Sequence, residues 1–336
     1  MPDVPQRILV TGGAGFIGCN LVRHLLERTD ASVTALDKLT YAASPAALDG
    51  LPADRFRLVV GDVADAGVVD PLVAEHDAVV HLAAESHNDN ALVDPAPFVH
   101  TNLIGTFTLL EAVRRYDVRL HHVSTDEVYG DLALEDPQRF TEDAPYRPSS
   151  PYSASKAGAD HLVRAWVRSF GIRATVSVCS NNYGPWQHVE KLVPRQVTTI
   201  LDGGRPRVYG TGSHVRDWIH VEDHNAAVLA VLERGTVGET YLIGADGERS
   251  NLDVVRTILR LMGRPEDDID LVADRPGHDL RYAIDASRLR ADLGWRPSYD
   301  GLEAGLRTTI AWYEANEAWW RPAKAATEAA YAARGQ

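Results

Sequence analysis

The amino-acid sequence predicts an α/β fold, a doubly wound parallel sheet carrying a smaller, irregular C-terminal lobe. Three observations predict it. Short apolar runs alternate with helical patterns through the first half, a glycine-rich turn joins the first run to the first helical stretch, and the rhythm loosens after about residue 180. Strands that alternate with helices cross over to lie parallel, and the helices then cover both faces of the sheet.

Taken in order, the apolar runs are "RILVT", "SVTALD", "FRLVVGD", "AVVHLAA", "RLHHVS" and "ATVSVCS". Several are apolar without alternation, as strands buried on both faces should be. Between them, "FIGCNLVRHLLER" and "TFTLLEAVRRY" carry helical spacing. Further on, turn-rich pieces such as "LDGGRPRVYGTGSHVRDW" predict a less regular lobe, although "TYLIG" (240–244) has the composition to rejoin the main sheet. The expected division is 1–180 for the first domain, which also receives 215–250, with 181–336 mainly in the second lobe. The Ala-rich tail "PAKAATEAAYAARGQ" reads as a loose helix or as disordered chain, and no internal repeat is visible.

Composition narrows the function classes. The 336 residues are 45% hydrophobic, enough for a sizeable core. No run of about 18 apolar residues is present, so no membrane span is expected. The opening "MPDVPQRILVTGG" lacks a charged-then-apolar leader, and no signal peptide is expected. Cys19 and Cys179 lie far apart and form neither a disulfide framework nor a metal motif, which suits a cytoplasmic protein. A net charge of −13 argues against nucleic-acid binding, which needs a basic face. A small anionic ligand stays compatible if cations gather locally.

"RILVTGGAGFIG" sets Gly12, Gly15 and Gly18 between the first strand and the first helix. Glycines let the backbone turn sharply and approach a pyrophosphate, and the helix offers its unpaired N–H groups to the anion. Asp37 follows Gly18 by 19 residues at the tip of the second strand. A carboxylate there accepts hydrogen bonds from ribose hydroxyls and repels a 2′-phosphate, which favours NAD over NADP and makes the sheet Rossmann-like. Asp62 and "HLAAES" (81–86), with Leu82, Ala83, Ala84, Glu85 and Ser86, end later strands and should line the adenine and nicotinamide side.

"SSPYSASKAGADHLVRAW" carries Tyr152 and Lys156 four residues apart, on one face of a helix kept slender by small residues. A phenol of pKa ~10 needs about 4 kcal/mol of preferential stabilisation to serve as a base near neutrality. A nearby lysine and a cationic nicotinamide ring supply it. Behind the glycine motif, and with a strand ending in Ser124-Thr125, these features resemble the extended short-chain dehydrogenase/reductase family. That resemblance implies Tyr152 as base for a substrate hydroxyl, Lys156 on the nicotinamide ribose and Thr125 bonded to the reacting oxygen.

Asp126 and Glu127 then stand side by side in "VSTDEVYGD", where simple hydride transfer needs neither. Neighbours in a regular strand point to opposite faces, so both reach one substrate only if the chain has left strand geometry. A paired acid and base suggests elimination of water. Oxidation at a sugar C4 acidifies C5–H, one carboxylate removes that proton, the other protonates the departing C6 hydroxyl, and the hydride returns to C6. Such roles demand pKa values pushed apart, as adjacent like charges do.

The chain also resembles the dTDP-glucose 4,6-dehydratase family over nearly its whole length. The matching stretches are "VTGGAGFIGCNL", "LDKLTYA", "HLAAESH", "STDEVYGD", "SPYSASKAGAD", "CSNNYGP", "EKLVP", "VRDWIHVEDH" and "DRPGHDLRYAID". The resemblance implies that Thr125, Asp126, Glu127, Tyr152 and Lys156 are catalytic, with Asp126 the acid and Glu127 the base, a ranking adjacency alone leaves open. It implies that Phe16, Ile17, Lys38, Leu39, Thr40, Val63, Thr101 and Asn182 join the NAD site. Around a nucleotide sugar it implies Ser86, Asn181, Lys191, Leu192, Tyr209, Arg216 and Asn251. The run Asp274, Arg275, Pro276, Gly277, His278 belongs with them. Lys191, Arg195, Arg216 and Arg275 are the local cations an acidic protein needs.

Some positions depart from the family pattern: Asn88-Asp89-Asn90 after "HLAAESH", then Trp186, His188 and Val189, and Arg207. They leave base preference open. No metal is expected, since His121 and His122 must diverge on a strand and His81 and His87 lack a carboxylate at ligand spacing. Two rival readings are a nucleotide-sugar 4-epimerase or decarboxylase, which does not require the acid pair, and a non-catalytic NAD-binding regulator, which does not require Tyr152 and Lys156. A homodimer is implied by the family, through helices such as "TFTLLEAVRRY" and "ADHLVRAWVRSF".

Overall fold

Strands without a polar face must be covered on both sides, and that demand organises the chain. The computed structural model describes residues 5–274 and 278–333. In chain order the first part runs β1 (Arg7–Thr11), α1 (Phe16–Arg28), β2 (Ser32–Asp37), β3 (Phe56–Val60), α2 (Ala66–Ala74), β4 (Ala78–His81), α3 (Asn88–Val93), α4 (Ala96–Phe98), α5 (Thr106–Tyr116), β5 (Arg119–Thr125), α6 (Pro151–Phe170) and β6 (Ala174–Cys179). Then follow β7 (Asn181–Tyr183), α7 (Leu192–Leu201), β8 (Arg207–Tyr209), β9 (Val215–Arg216), β10 (Trp218–His220), α8 (Val221–Arg234), β11 (Thr240–Ile243), β12 (Arg249–Ser250), α9 (Asn251–Leu261), β13 (Asp270–Val272), α10 (Ser287–Leu293), α11 (Gly301–Ala315) and α12 (Glu317–Ala333).

Seven strands form one parallel sheet in the order β11-β6-β5-β4-β1-β2-β3. This is the Rossmann-like doubly wound α/β architecture. The "TYLI" run does rejoin the sheet, as β11 beside β6. On one face, Leu21, Val22, Leu25 and Leu26 of α1 pack with Val228 and Val231 of α8 and with Leu289 of α10. The other face is covered by α2, α5 and α6 through Val69, Leu109, Val113 and Val163. Strand order reverses between β1 and β4, which opens a crevice at their carboxyl ends.

Polar residues inside these buried strands are satisfied across the ladder, as buried polar groups must be. His121 contacts Thr175 Oγ1 at 2.9 Å and Ser177 Oγ at 3.0 Å. His122 turns the other way and meets Asp160 at 3.0 Å. His81 lies between Thr11 and Thr106.

The later part builds a second core. Val193 and Val197 of α7, Val254 and Ile258 of α9, and Leu306 and Tyr313 of α11 bury one another. Short two-strand ladders, β7 with β10, β8 with β13 and β9 with β12, hold the connecting loops. The Ala-rich tail is helical as far as residue 333 and docks. Trp320 is 1% exposed and donates to the Tyr313 carbonyl, while Lys324 donates to Thr199 on α7. Among the described residues, no helix is long and apolar enough to cross a membrane.

Candidate active site

The carboxyl ends of β1, β2, β4, β5 and β6 border one cleft of about 1570 Å³, its open mouth included. At its floor the glycine turn is sterically obligatory. Gly12 has φ +71°, and a Cβ on it would lie 2.7 Å from the Ala83 nitrogen. A Cβ on Gly18 would lie 2.0 Å from the Gly12 carbonyl oxygen. Gly15 precedes α1 with no side chain capping it, so the first N–H groups face the cleft.

Asp37 is held by its own neighbourhood: Oδ2 accepts from Ala14 N at 3.0 Å and Oδ1 from Leu39 N at 2.8 Å. Leu39 adopts φ +56°, a left-handed conformation unfavourable for leucine. Lys38 pairs with Glu85 at 3.2 Å and donates to Thr101 at 2.9 Å, closing the adenine end. Phe16, Ile17, Thr40, Val63, Leu82, Ala83, Ala84 and Ser86 complete that wall. Leu39 and Asp62 are not on the wall; the Asp62 carboxylate instead accepts from Ala64 N and fixes the turn before Val63. Several buried polar atoms on the wall have no protein partner among the described residues: Ser180 Oγ, Asn181 Oδ1, Asn182 Oδ1 and Asp126 Oδ2. Unpaired polar atoms beside an N–H-rich turn and a ribose-facing carboxylate suit a polar dinucleotide such as NAD.

The acid pair sits where strand geometry stops. β5 ends at Thr125, and residues 126–129 wind into a 3₁₀ turn that brings both carboxylates to the cleft wall. Burial drives the Asp126 carboxyl well above its usual range, with Glu127 and Asp217 adding to the shift. Burial also raises Glu127, but Asn88 and the charges of Arg216 and Lys191 oppose it. The Asn88 amide donates to Glu127 Oε2 at 2.8 Å. The two neighbours are thereby split into a more acid-like and a more base-like member.

Ser150 caps α6 through a reciprocal pair of hydrogen bonds with Ser153, and Pro151 opens the helix, so Tyr152 is positioned from the first turn. Burial and the Glu127 charge push the Tyr152 phenol up, and Thr125 works to lower it. Four residues on, the Lys156 ammonium donates to the Val123 carbonyl at 2.8 Å. One turn further, Asp160 accepts from Ser124 at 2.7 Å and Tyr146 at 2.8 Å, besides its contact with His122. Burial opposes its charge, yet His122, Lys156 and Ser124 hold Asp160 below the usual carboxylate range. Asp160 was missed from sequence, although its spacing from Lys156 repeats the Tyr152–Lys156 interval. Gln187, His188, Glu190 and Cys179 also line the cleft unannounced. Burial lifts the Cys179 thiol to about 12.

Toward the second lobe, Lys191 reaches the cleft, and its ammonium lies 3.4 Å from the Ser86 carbonyl. Leu192 opens α7 behind it, off the wall. Arg216 is 6% exposed, donates to the Asp279 carbonyl and stacks over Tyr282, so it is no surface pair with Asp217. Tyr209, Asn251, Asp274 and His278 also lie off the cleft wall, in the adjoining ladders and loop. Arg275, Pro276 and Gly277 fall outside the described residues. Arg195 does not serve the site: both its N–H arms bind Glu328 at 3.2 Å and its plane covers Tyr331. His214, Asp274 and His278 bring potential ligand atoms within 4.8 Å of one another. The two rings stack at 3.6 Å, with His214 Nε2 3.3 Å and His278 Nδ1 2.8 Å from the Asp274 carboxylate.

Fold and site together define an NAD-dependent enzyme of the extended short-chain dehydrogenase/reductase type, carrying an additional carboxyl pair. A family model described as GDP-mannose 4,6 dehydratase matches residues 9–309. A dTDP-glucose 4,6-dehydratase of Mycolicibacterium smegmatis is 65% identical over 98% of this chain and 100% of its own. The crystal structure of a dTDP-glucose 4,6-dehydratase from Streptomyces venezuelae, with NAD bound, has a TM-score of 0.90 and 44% identity, covering 94% of this chain and 99% of its own. The corresponding NAD complex from Bacillus anthracis has a TM-score of 0.89 and 43% identity, covering 95% and 99%. The chain belongs to the dTDP-glucose 4,6-dehydratase family.

Because a Cβ at Gly18 collides with backbone, Gly18→Ala should weaken NAD binding at least ~10-fold, about 1.4 kcal/mol. Quantifying nucleotide released from the purified protein by chromatography checks this; wild-type NAD content would refute the steric reading.

Proposed function

We propose that the protein converts a nucleoside-diphosphate glucose, dTDP-glucose above others, into its 4-keto-6-deoxy sugar, each residue acting as follows. NAD, when bound, accepts the C4 hydride and returns the same hydride to C6, so the cofactor is unchanged overall. Tyr152 accepts the C4 hydroxyl proton, and Thr125 orients that oxygen. Lys156 is placed to hold the nicotinamide ribose and to favour phenolate once its ammonium leaves the Val123 carbonyl. With C4 oxidised, C5–H is acidic, and ionised Glu127 removes it. Asp126, whose acid form burial favours, delivers its proton to the C6 hydroxyl, which leaves as water, and Glu127 returns a proton to C5 as C6 takes the hydride. The carrying observation is one 3₁₀ turn in which burial and Glu127 drive Asp126 well above its usual range, while an amide donor and two cations oppose the rise of Glu127. A 4-epimerase or decarboxylase does not require such a pair, and a regulator does not require Tyr152.

Residues 1–180 with 215–250 supply the NAD side in this reading, which the pairing of β11 with β6 supports. The remainder of 181–336 mainly takes the nucleotide sugar; its cations are Lys191 and, from the 215–250 segment, Arg216, with Ser86, Asn181, Leu192, Tyr209, Asn251, Asp274, Arg275, Pro276, Gly277 and His278 around it. The finer expectation of a homodimer is supported by α5 and α6, which leave Phe107 43%, Tyr116 41% and Phe170 46% exposed. A cytoplasmic setting accords with two free, buried thiols.

Substrate deuterated at C4 should yield product deuterated at C6, read by mass spectrometry; complete loss of label to solvent would exclude the internal return. Glu127→Gln should slow product formation by roughly 10²–10⁴ while C4 oxidation persists as a rise in 340 nm absorbance; wild-type turnover removes Glu127 from the reaction. Light scattering after size exclusion should give a dimer mass for the wild type and a monomer for Phe107→Glu; an unchanged dimer moves the interface elsewhere.

A further inference from the structure

Asn88 is the first residue of α3 and belongs to none of the catalytic, cofactor or sugar assignments above. Its side-chain amide is nevertheless spent at both ends. The Nδ2 group donates to Glu127 Oε2 at 2.8 Å, and Oδ1 accepts from Ser150 Oγ at 3.1 Å. Ser150 is the residue that caps α6, where its hydroxyl also accepts from Ser153 N at 3.1 Å. A continuous chain of polar contacts therefore runs from the helix bearing Tyr152 and Lys156, through Asn88, to the carboxylate one turn beyond β5.

Ser150 Oγ lies 3.1 Å from the Asn88 amide oxygen and 3.0 Å from Ser153 Oγ. The Ser150 hydroxyl occupies the amide oxygen, so the end facing Glu127 carries donors only. A donor-only partner stabilises carboxylate over carboxylic acid. Among the described residues, Asn88 is the side chain hydrogen-bonded to the Glu127 carboxylate. Other groups facing Glu127 act on it through their charge or are influenced by its own: Asp126 in the same turn, Tyr152 on α6, Lys191 before α7, Arg216 on β9, and Asp279 and Tyr282 from the loop after residue 278. Lys191 and Arg216 favour the charge, whereas Asp279 opposes it.

We propose that Asn88 is a positioning residue for proton abstraction: its amide clamps Glu127 as an oriented carboxylate and ties that base to the cap of the helix carrying Tyr152. The inference rests on the reading of Glu127 as the C5 base. It adds a residue one element away, outside the cleft wall, that tunes elimination and leaves C4 oxidation alone. Loss of the donor raises the proton affinity of Glu127, so fewer molecules carry the base at a given pH. The acid limb of elimination must then move to higher pH.

The test compares NAD-loaded wild type, Asn88→Ala, Asn88→Asp and Glu127→Gln with dTDP-glucose between pH 5.5 and 9. Product formation and the 340 nm signal are followed together. Asn88→Ala should move the acid limb up by about one unit, roughly a tenfold loss of product rate on that limb. Reduced cofactor should accumulate during turnover. Asn88→Asp keeps the acceptor for Ser150 and adds a like charge, so its limb should move further than that of Asn88→Ala. A role in folding alone would lower the rate equally at every pH and would not order the two variants. Acid limbs of both variants superimposed on wild type, with Glu127→Gln still slow, overturn the role of Asn88 and leave the base assigned. Wild-type turnover by Glu127→Gln overturns the base itself. Should Asn88→Ala lose its NAD or its folded circular-dichroism signal, the limb of Asn88→Asp decides alone.

Discussion

Two carboxyl groups in consecutive positions, one fully buried, set the terms for everything around them. Water hardly reaches Asp126, so burial works against its charge and drives its carboxyl well above the usual range. Glu127 lies in the same turn but keeps an amide donor and two cations within reach, and its charge is tolerated better. The difference between them comes from surroundings, since their sequence positions are equivalent to within one residue. Adjacent carboxyls of unequal burial arise here because the 3₁₀ turn after β5 ends the alternation of the strand.

The sheet supplies the rigidity that such a pair requires. β5 lies between β4 and β6, with its histidines bonded to Thr175, Ser177 and Asp160, so its carboxyl end has little freedom. α6 is tied to the same strand twice, by Lys156 at the Val123 carbonyl and by Asp160 at Ser124. Tyr152 and the acid pair are consequently held against each other by one strand and one helix, independently of the second lobe. The glycine turn forms another wall of the cleft, where Gly12 and Gly18 allow backbone to meet backbone.

An overall charge of −13 gives no hint of anion binding, and the site resolves this locally. Lys191 and Arg216 gather near the carboxyl pair, and their charge acts on Glu127. Arg195, equally basic and next to the "EKLVP" stretch, pairs with Glu328 of the docked C-terminal helix. Basic residues in or beside the motifs thus divide between the ligand and the core according to what packs beside them.

Much of this was legible in the chain. The glycine spacing, Asp37 at the tip of β2, Tyr152 and Lys156 on one helix face, and the adjacent acids all depend on local geometry, which short-range sequence encodes. The rejoining of 240–243 to the sheet was visible as an apolar run for the same reason. Other features are contacts between distant segments and left no local trace. Asn88 meets Glu127 across 39 residues, Arg195 meets Glu328 across 133, and Asp160 gathers His122 and Ser124 from another strand. The sequence by itself determined the fold class, the cofactor turn and the inventory of reactive groups. Only the tertiary structure decided which carboxyl is buried, which cation is free to serve the site and where Lys156 points, because solvation and pairing are properties of neighbours that the chain brings together only on folding.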